Sequence, residues 1–306
     1  MKRCVVIYNP NSGKKLKSDF LSDVVDLLIE YDYYPDVIMS KYKGHITEIV
    51  STIEEPDLLI SFGGDGTFNE VMTGNFKRKK HLLLAHIPVG TTNDIGKMFG
   101  YGKSVVNNLK LLLSTGVKKK MDICTINSKP FVYVAGFGKF MTIPYETKRS
   151  VKKKIGYLAY LYEGFKEIIA RTKLYDITVT VNGEVYNGLY SFMLIGNATR
   201  IGGLNNLFDE VKLDDNSFEV LLCNLRTKGD IVKTLYYLRK TSISHVPGFY
   251  FHNTNELKVK FNENEKVNWC IDGEKLESDT NEFIIKVTRN VPILLPNKNI
   301  DKLFIK

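Results

Sequence analysis

The sequence predicts an α/β domain built on an open, mainly parallel sheet, followed by a mostly antiparallel β-sandwich domain. Three observations lead there. Up to about residue 122, apolar strand-length runs alternate with stretches of helical periodicity, the pattern of successive βαβ units. Beyond residue 170 the apolar residues recur at every second position instead, as in strands with one face buried. The polar turns of the first part each follow a strand, which is the edge of an open sheet where ligands bind.

Taken in order, residues 1–8 are a first strand. Its apolar part, Cys4-Val5-Val6-Ile7-Tyr8, ends at Asn9-Pro10 and is too short for the apolar core of a signal peptide. The turn Asn9 to Lys15 precedes a helix over about 18–31, on the spacing of Phe20, Val24, Leu27 and Leu28. Tyr34 to Met39 is a second strand, closed by Ser40. Gly44 to Ile53 is a helix with Ile46, Ile49, Val50 and Ile53 on one face. Leu58 to Phe62 is a strand that enters Gly63-Gly64-Asp65-Gly66-Thr67, and a helix continues through Phe68-Asn69-Glu70-Val71-Met72. Leu82 to Ile87 is the next strand, ending at Pro88 to Asp94 before another helix.

The pattern then changes. Asp122–Ile126 and Phe131–Ala135 are short strands, Glu146–Lys154 is basic, and Ile155–Ala170 is helical. Ile177, Val179 and Val181 alternate into Asn182-Gly183, a hairpin signal. Leu257, Val259 and Phe261 alternate likewise, as do Val267, Trp269 and Ile271, which run into Asp272-Gly273, and Phe283, Ile285 and Val287. The tail from Val291 is read as returning to the first domain. The expected domains are therefore 1–122 with 291–306, and 123–290.

Lys and Arg number 43 against 34 Asp and Glu, a net charge of +9. That balance favours an anionic partner: nucleotide, nucleic acid or acidic membrane. A solvated basic surface is the plain alternative. The cysteines, Cys4, Cys124, Cys223 and Cys270, lie far apart in apolar runs with no CxxC, so they read as reduced core residues of a cytosolic protein. No apolar run approaches the length that spans a bilayer.

Several stretches have residue types suited to chemistry. Glycines at 63, 64 and 66 between strand and helix let backbone N–H groups approach an anion, and the helix dipole adds to the attraction. Asp65 in the same stretch suits a metal or a proton; the run of glycines after an apolar strand favours a phosphate site, with a plain tight turn as the alternative. Asn9 to Lys15 offers N–H groups, Ser12 and two lysines, without P-loop spacing. Thr91, Thr92, Asn93 and Asp94 suit a ligand or a helix cap. Asp272 and Glu274 flank Gly273; they read as a turn, or as a pair able to take a proton or hold Mg2+ through water. Lys212 to Ser217 gathers oxygens suited to Mg2+ or Ca2+, or is a surface turn. The histidines have no ligand spacing. The basic runs Lys77–Lys80, Lys118–Lys120 and Lys148–Lys154 are solvated faces or membrane contacts; the last adjoins Tyr157, Leu158, Tyr160, Leu161 and Tyr162.

Together these motifs resemble the bacterial soluble diacylglycerol kinases, whose catalytic domain is shared with sphingosine and ceramide kinases. Asn9-Pro10-Asn11-Ser12-Gly13 is similar to the family's NPxSG, Gly63 to Glu70 to GGDGTxNE, Pro88 to Asp94 to PxGTxND, and Asp272-Gly273-Glu274 to a late DGE. The resemblance covers nearly the whole chain. It implies an NAD-kinase/diacylglycerol-kinase-like fold with ATP between the domains, in contact with Asn9, Pro10, Asn11, Ser12, Gly13, Ser40, Gly64, Asp65, Gly66, Thr67, Phe68, Asn69, Glu70 and Thr91. Ser40 stands for the family's Thr, and Lys97 for a frequent Arg.

It further implies that Asp65 organises Mg2+, that Asp272 or Glu274 accepts the proton, and that a structural Mg2+ sits at Lys212, Asp215 and Ser217. There the family's DDG reads Asp214-Asp215-Asn216, and Asn tolerates the left-handed conformation. The implied activity is ATP- and Mg2+-dependent phosphorylation of a lipid hydroxyl, foremost diacylglycerol to phosphatidic acid. The expected setting is the cytoplasm, at the inner face of an anionic membrane. No nucleic-acid partner is expected, and a homodimer is left open. NAD-kinase-like phosphorylation of a soluble dinucleotide is the competing enzyme, and a non-catalytic nucleotide- or lipid-binding regulator the competing class.

Overall fold

The computed structural model describes the chain except residues 13–18, 91–92, 140, 142–171, 202–203, 206–207, 209–210, 238–245, 264–266 and 306. The predicted helix at 155–170 and the basic stretch at 146–154 therefore lie outside the described residues. The chain divides into two compact units, Met1–Ile123 with Arg289–Lys306, and Cys124–Thr288.

In the first unit, β1 (Lys2–Tyr8), β2 (Tyr33–Met39), β3 (Leu58–Gly63) and β4 (Leu84–Pro88) pair in the order β2-β1-β3-β4. All three pairings are parallel, with Tyr8 opposite Met39 and Phe62, and Phe62 opposite Ile87. Strand β3 is buried along its whole length, as a central parallel strand must be. Helices α1 (Phe20–Glu30), α2 (His45–Thr52), α3 (Asp65–Phe76), α4 (Asp94–Met98) and α5 (Val105–Thr115) join the strands. Helix α1 buries Phe20, Val24, Leu27 and Leu28, each worth about 1.5–3 kcal/mol. The tail adds Ile293, paired in parallel with Leu84, and a short helix α7 (Ile300–Leu303).

Because the strands are parallel, the turns after β1, β2, β3 and β4 share one edge. The strand order reverses between β1 and β3, so the turns at 9–12 and 63–65 flank the switch point, the usual ligand position in open α/β sheets. One boundary differs from expectation. Helix α3 begins at Asp65 with Gly64 as its N-cap, so Asp65 and Gly66 occupy its first turn instead of a loop.

The second unit is a sandwich. One sheet pairs the start of β18 (Glu282–Leu295) with β15 (Glu256–Phe261), β8 (Tyr175–Val181) and β9 (Glu184–Tyr190), antiparallel throughout. The other contains β7 (Val134–Gly138), β10 (Phe192–Gly196), β13 (Phe218–Cys223), β14 (Phe249–Thr254), β16 (Trp269–Ile271) and β17 (Glu274–Leu276). Their order across the sheet is β14-β13-β10-β7-β16-β17. Aromatic contacts bind the two sheets. The Phe137 ring lies 4.8 Å from Phe261 and 5.0 Å from Trp269, and Trp269 lies 5.1 Å from Phe283. Leu257 and Val259 are buried while Lys258 and Lys260 are exposed, the alternation expected of a half-buried strand.

The hairpin turns follow their sequences. Asn182 and Gly183 both have positive φ, 51° and 81°, and so do Asp272 and Gly273, 48° and 85°. Two successive left-handed residues make the tight turn that matches strand twist. Further elements are β5 (Val117–Ile126), β6 (Lys129–Phe131), the short pair β11 (Arg200–Ile201) and β12 (Leu204–Asn205), and helix α6 (Lys228–Tyr237). All four cysteines are buried, and none forms a disulfide. Burial raises the Cys4 thiol to about 12, so it stays protonated and inert.

Candidate active site

In the first unit one hydroxyl joins two turns. Thr67 Oγ1 accepts from Asn9 Nδ2 at 3.1 Å and lies 3.2 Å from Ser12 Oγ. The turn at 9–12 is itself closed by Ser12 N–H to the Asn9 carbonyl and Asn11 N–H to Asn9 Oδ1. Asp65 joins the third turn. Its carboxylate accepts from Asp94 N–H and Ile95 N–H, both at 3.2 Å, so it satisfies two otherwise open donors of the first turn of α4. Asp65 remains half-exposed, and each carboxylate oxygen has room for more than one partner. Asn93, held at a left-handed φ of 51°, donates to the Gly90 carbonyl at 2.8 Å.

The glycines divide by what surrounds them. A Cβ on Gly90 would lie 2.6 Å from Gly64 Cα and 2.7 Å from Asn93 Oδ1, and one on Gly63 would strike the Thr67 side chain. Gly90 thus lets its turn touch the Gly64 backbone, while Gly63 leaves room for the Thr67 side chain. A Cβ on Gly66 would meet nothing within 4 Å, and the residue is exposed. It leaves an open, side-chain-free surface on the first turn of α3. That surface, N–H groups at a helix start beside a half-exposed carboxylate, fits a nucleotide phosphate with its cation.

Other expected residues have different surroundings. Phe68 is fully buried, 4.9 Å from the His86 ring and 6.3 Å from Phe99; its side chain packs the core, and only its backbone is left for a ligand. Asn69 and Glu70 are half-buried. Ser40 is buried at the end of β2, its N–H bonded to the Tyr8 carbonyl. Pro10 and Asn11 are exposed. Gly13 and Thr91 lie outside the described residues. His86, paired with Ser61 Oγ at 2.9 Å, is held neutral because burial lowers it to about 3. Within the basic run at 77–80, Arg78 donates to the Val50 and Ile53 carbonyls at 2.9 and 2.8 Å. It therefore closes the end of α2 and is not a free surface charge. Lys118 and Lys120 are exposed on β5.

In the second unit Asp272 and Glu274 have opposite environments. Asp272 is 5% exposed and accepts from three backbone N–H groups, Val132 at 2.7 Å and Tyr133 and Val134 at 3.0 Å. Its own N–H donates to the Val134 carbonyl at 2.8 Å. It ties the β16–β17 turn to the start of β7. Glu274, opposite Ile271 in that hairpin, is exposed.

At the turn before β13, Asp215 Oδ1 accepts from Ser217 N–H at 3.0 Å, and Asn216 adopts a left-handed φ of 60°. The Asn thus takes the backbone conformation for which Gly is otherwise suited. Ser217 Oγ accepts from Asn253 Nδ2 at 2.9 Å, and the same amide lies 3.4 Å from Glu219 Oε1. Glu219 is 2% exposed, and its Oε2 has no hydrogen-bond partner. Burial first, then the charge of Asp215, raises its carboxyl to about 8. An unpartnered buried carboxylate oxygen near a second acid fits a hard divalent cation. Among the described residues no three His, Cys, Asp or Glu side chains converge on a metal, so a cation here would be completed by backbone oxygens or water. No motif in the sequence singles out Glu219; an acid between Phe218 and Val220 in an apolar run is its one signal.

Residues 3–126 match the profile of the diacylglycerol kinase catalytic domain. A diacylglycerol kinase of Staphylococcus epidermidis (strain ATCC 35984) is 32% identical over 236 residues, 76% of this chain and 74% of that one. The chain belongs to the diacylglycerol kinase family. A Bacillus subtilis (strain 168) diacylglycerol kinase is 26% identical over 305 residues, 99% of both chains. A crystal structure of a diacylglycerol kinase from Bacillus anthracis str. Sterne superposes with a TM-score of 0.75 at 21% identity, covering 97% of each chain. That likeness shows a shared fold, an α/β unit with a parallel sheet followed by an antiparallel β unit.

Proposed function

We propose that this chain transfers the γ-phosphoryl group of ATP to the free hydroxyl of a membrane lipid, diacylglycerol giving phosphatidic acid. The observation that carries the proposal is the knot of turns at the switch point. Thr67 ties down the turn after β1, and Asp65 ties down the helix after β4, around a glycine surface left open at Gly66. The relatives named above are diacylglycerol kinases, which supplies the acceptor class.

In this mechanism the N–H groups at the start of α3 bind phosphate oxygens, with Asn9, Ser12 and Thr67 fixing the neighbouring turn. Asp65 would hold Mg2+, which when bound offsets negative charge on the phosphates. Glu274 is the exposed member of the late pair and takes the lipid hydroxyl proton; Asp272 is engaged by backbone donors. The hydroxyl oxygen forms its bond to the γ-phosphorus as the bond to the β-phosphate oxygen breaks, and ADP leaves. Positioning and electrostatics supply most of the rate. Since the acceptor resides in a bilayer, the enzyme works at an anionic membrane surface, with exposed lysines such as Lys118 and Lys120 aiding attachment.

The test is acceptor competition: γ-labelled ATP and Mg2+ with mixed micelles of diacylglycerol and an equal concentration of NAD. Label in the organic phase supports the proposal. Label in the dinucleotide, or in neither, refutes it.

A further inference from the structure

Strand β13 has apolar residues at 218, 220 and 222 turned into the sandwich core. Glu219 lies on the opposite face, yet it is as buried as they are. Its cross-strand neighbours are Asn253 on β14 and Gly196 on β10. Gly196 lacks the Cβ that would strike the Phe208 ring, so that ring can lie over this face. Asn253 reaches Glu219 Oε1 and Ser217 Oγ from one amide nitrogen, while Glu219 Oε2 has no partner. No lysine or arginine is paired with it among the described residues. A buried carboxyl with an unpartnered oxygen and an acidic neighbour is costly to ionise unless a positive charge answers it.

We infer that Glu219 is a positioning residue of a divalent-cation site at the 212–217 turn: a buried second carboxylate whose charge the cation offsets and which orients Ser217 through Asn253. The inference rests on the reading that a cation occupies that turn, and it adds residues outside the Lys212, Asp215 and Ser217 set.

The experiment is a thermal melt of the full chain, stripped with chelator, without nucleotide, titrated with MgCl2 or CaCl2 against KCl of equal ionic strength. The wild type is expected to show a saturable rise in melting temperature with the divalent salt. Asp65→Asn is expected to retain that rise, which separates it from the nucleotide site. Glu219→Gln, nearly isosteric, is expected to fold at least as well without cation and to need at least tenfold more divalent salt for half the rise. Asn253→Ala is expected to weaken the response in the same direction without touching either acid. A wild-type response left intact by Glu219→Gln and Asn253→Ala overturns the role of Glu219 alone. Absence of any divalent response in the wild type overturns the cation reading of the turn, and the inference with it.

Discussion

Replacing Asp272 and Glu274 one at a time separates architecture from chemistry in a pair the sequence presents as equivalent. Asp272→Ala leaves three N–H groups, on Val132, Tyr133 and Val134, without their acceptor. All three residues are buried, so water does not readily replace the carboxylate. At about 1–3 kcal/mol for each unsatisfied donor, moderated by local relaxation, the loss is roughly 3–6 kcal/mol. Asp272→Asn can still serve two of these donors through its carbonyl, but it turns an NH2 toward the third, so about 2–4 kcal/mol is expected. Glu274→Gln alters an exposed side chain on a two-residue hairpin, and its stability change should stay within about 0.5 kcal/mol. Urea unfolding followed by far-UV circular dichroism gives these numbers, with turnover measured on the same samples. The expected pattern is a stable but severely slowed Glu274→Gln enzyme and a destabilised Asp272→Ala enzyme. Equal stability of Asp272→Ala and wild type would refute the structural role, and undiminished turnover of Glu274→Gln would refute the chemical one.

Three further outcomes are expected. Gly66→Ala places a methyl in open space and improves helix propensity, so stability should hold or rise by up to about 1 kcal/mol while ATP affinity drops, as isothermal titration would show. Gly90→Ala forces a backbone contact at 2.6 Å and should cost about 1–3 kcal/mol, with ATP affinity lost as well. Because His86 is held near 3 against an ordinary 6.5, the unfolded chain binds the extra proton. The neutral-histidine contribution is therefore full above pH 6.5 and declines as pH falls toward 3, with a limiting slope of about 1.4 kcal/mol per pH unit. His86→Gln should remove that component from a pH series of urea midpoints.

Much of the first unit was readable because parallel strands and amphipathic helices leave strong periodic signals. Leu58 to Phe62 is uniformly apolar but for Ser61 because β3 is covered on both faces. Asn182-Gly183 foretold its hairpin through backbone chemistry alone. The motif residues were harder to place, since a motif records adjacency in sequence and not which way a side chain points. Phe68 sits between Thr67 and Asn69 yet continues the buried stripe of Val71, Met72 and Asn75 on α3. The glycines hid the start of that helix, which Gly64 caps. Lys118 to Lys120 read as a charge run but form the start of β5, where Lys119 lies 5.8 Å from the Phe304 ring. Helix α6 has no strong apolar periodicity, although Thr227 and Asp230 bond each other's N–H groups in a reciprocal cap. The difference between Asp272 and Glu274 was beyond the sequence altogether, because the donors to Asp272 come from residues about 140 positions earlier.

The most direct measurement of the central claim is single-turnover transfer from γ-labelled ATP to diacylglycerol in mixed micelles, with ATP binding measured in parallel for wild type, Asp65→Asn and Glu274→Gln. The wild type is expected to give labelled phosphatidic acid. Asp65→Asn is expected to bind nucleotide more weakly in the presence of Mg2+, and Glu274→Gln to bind ATP normally with transfer slowed by at least a hundredfold (about 10²–10⁴-fold for loss of a general base). Wild-type transfer rates in Glu274→Gln, or a wild type that binds ATP and labels no lipid, would contradict that claim.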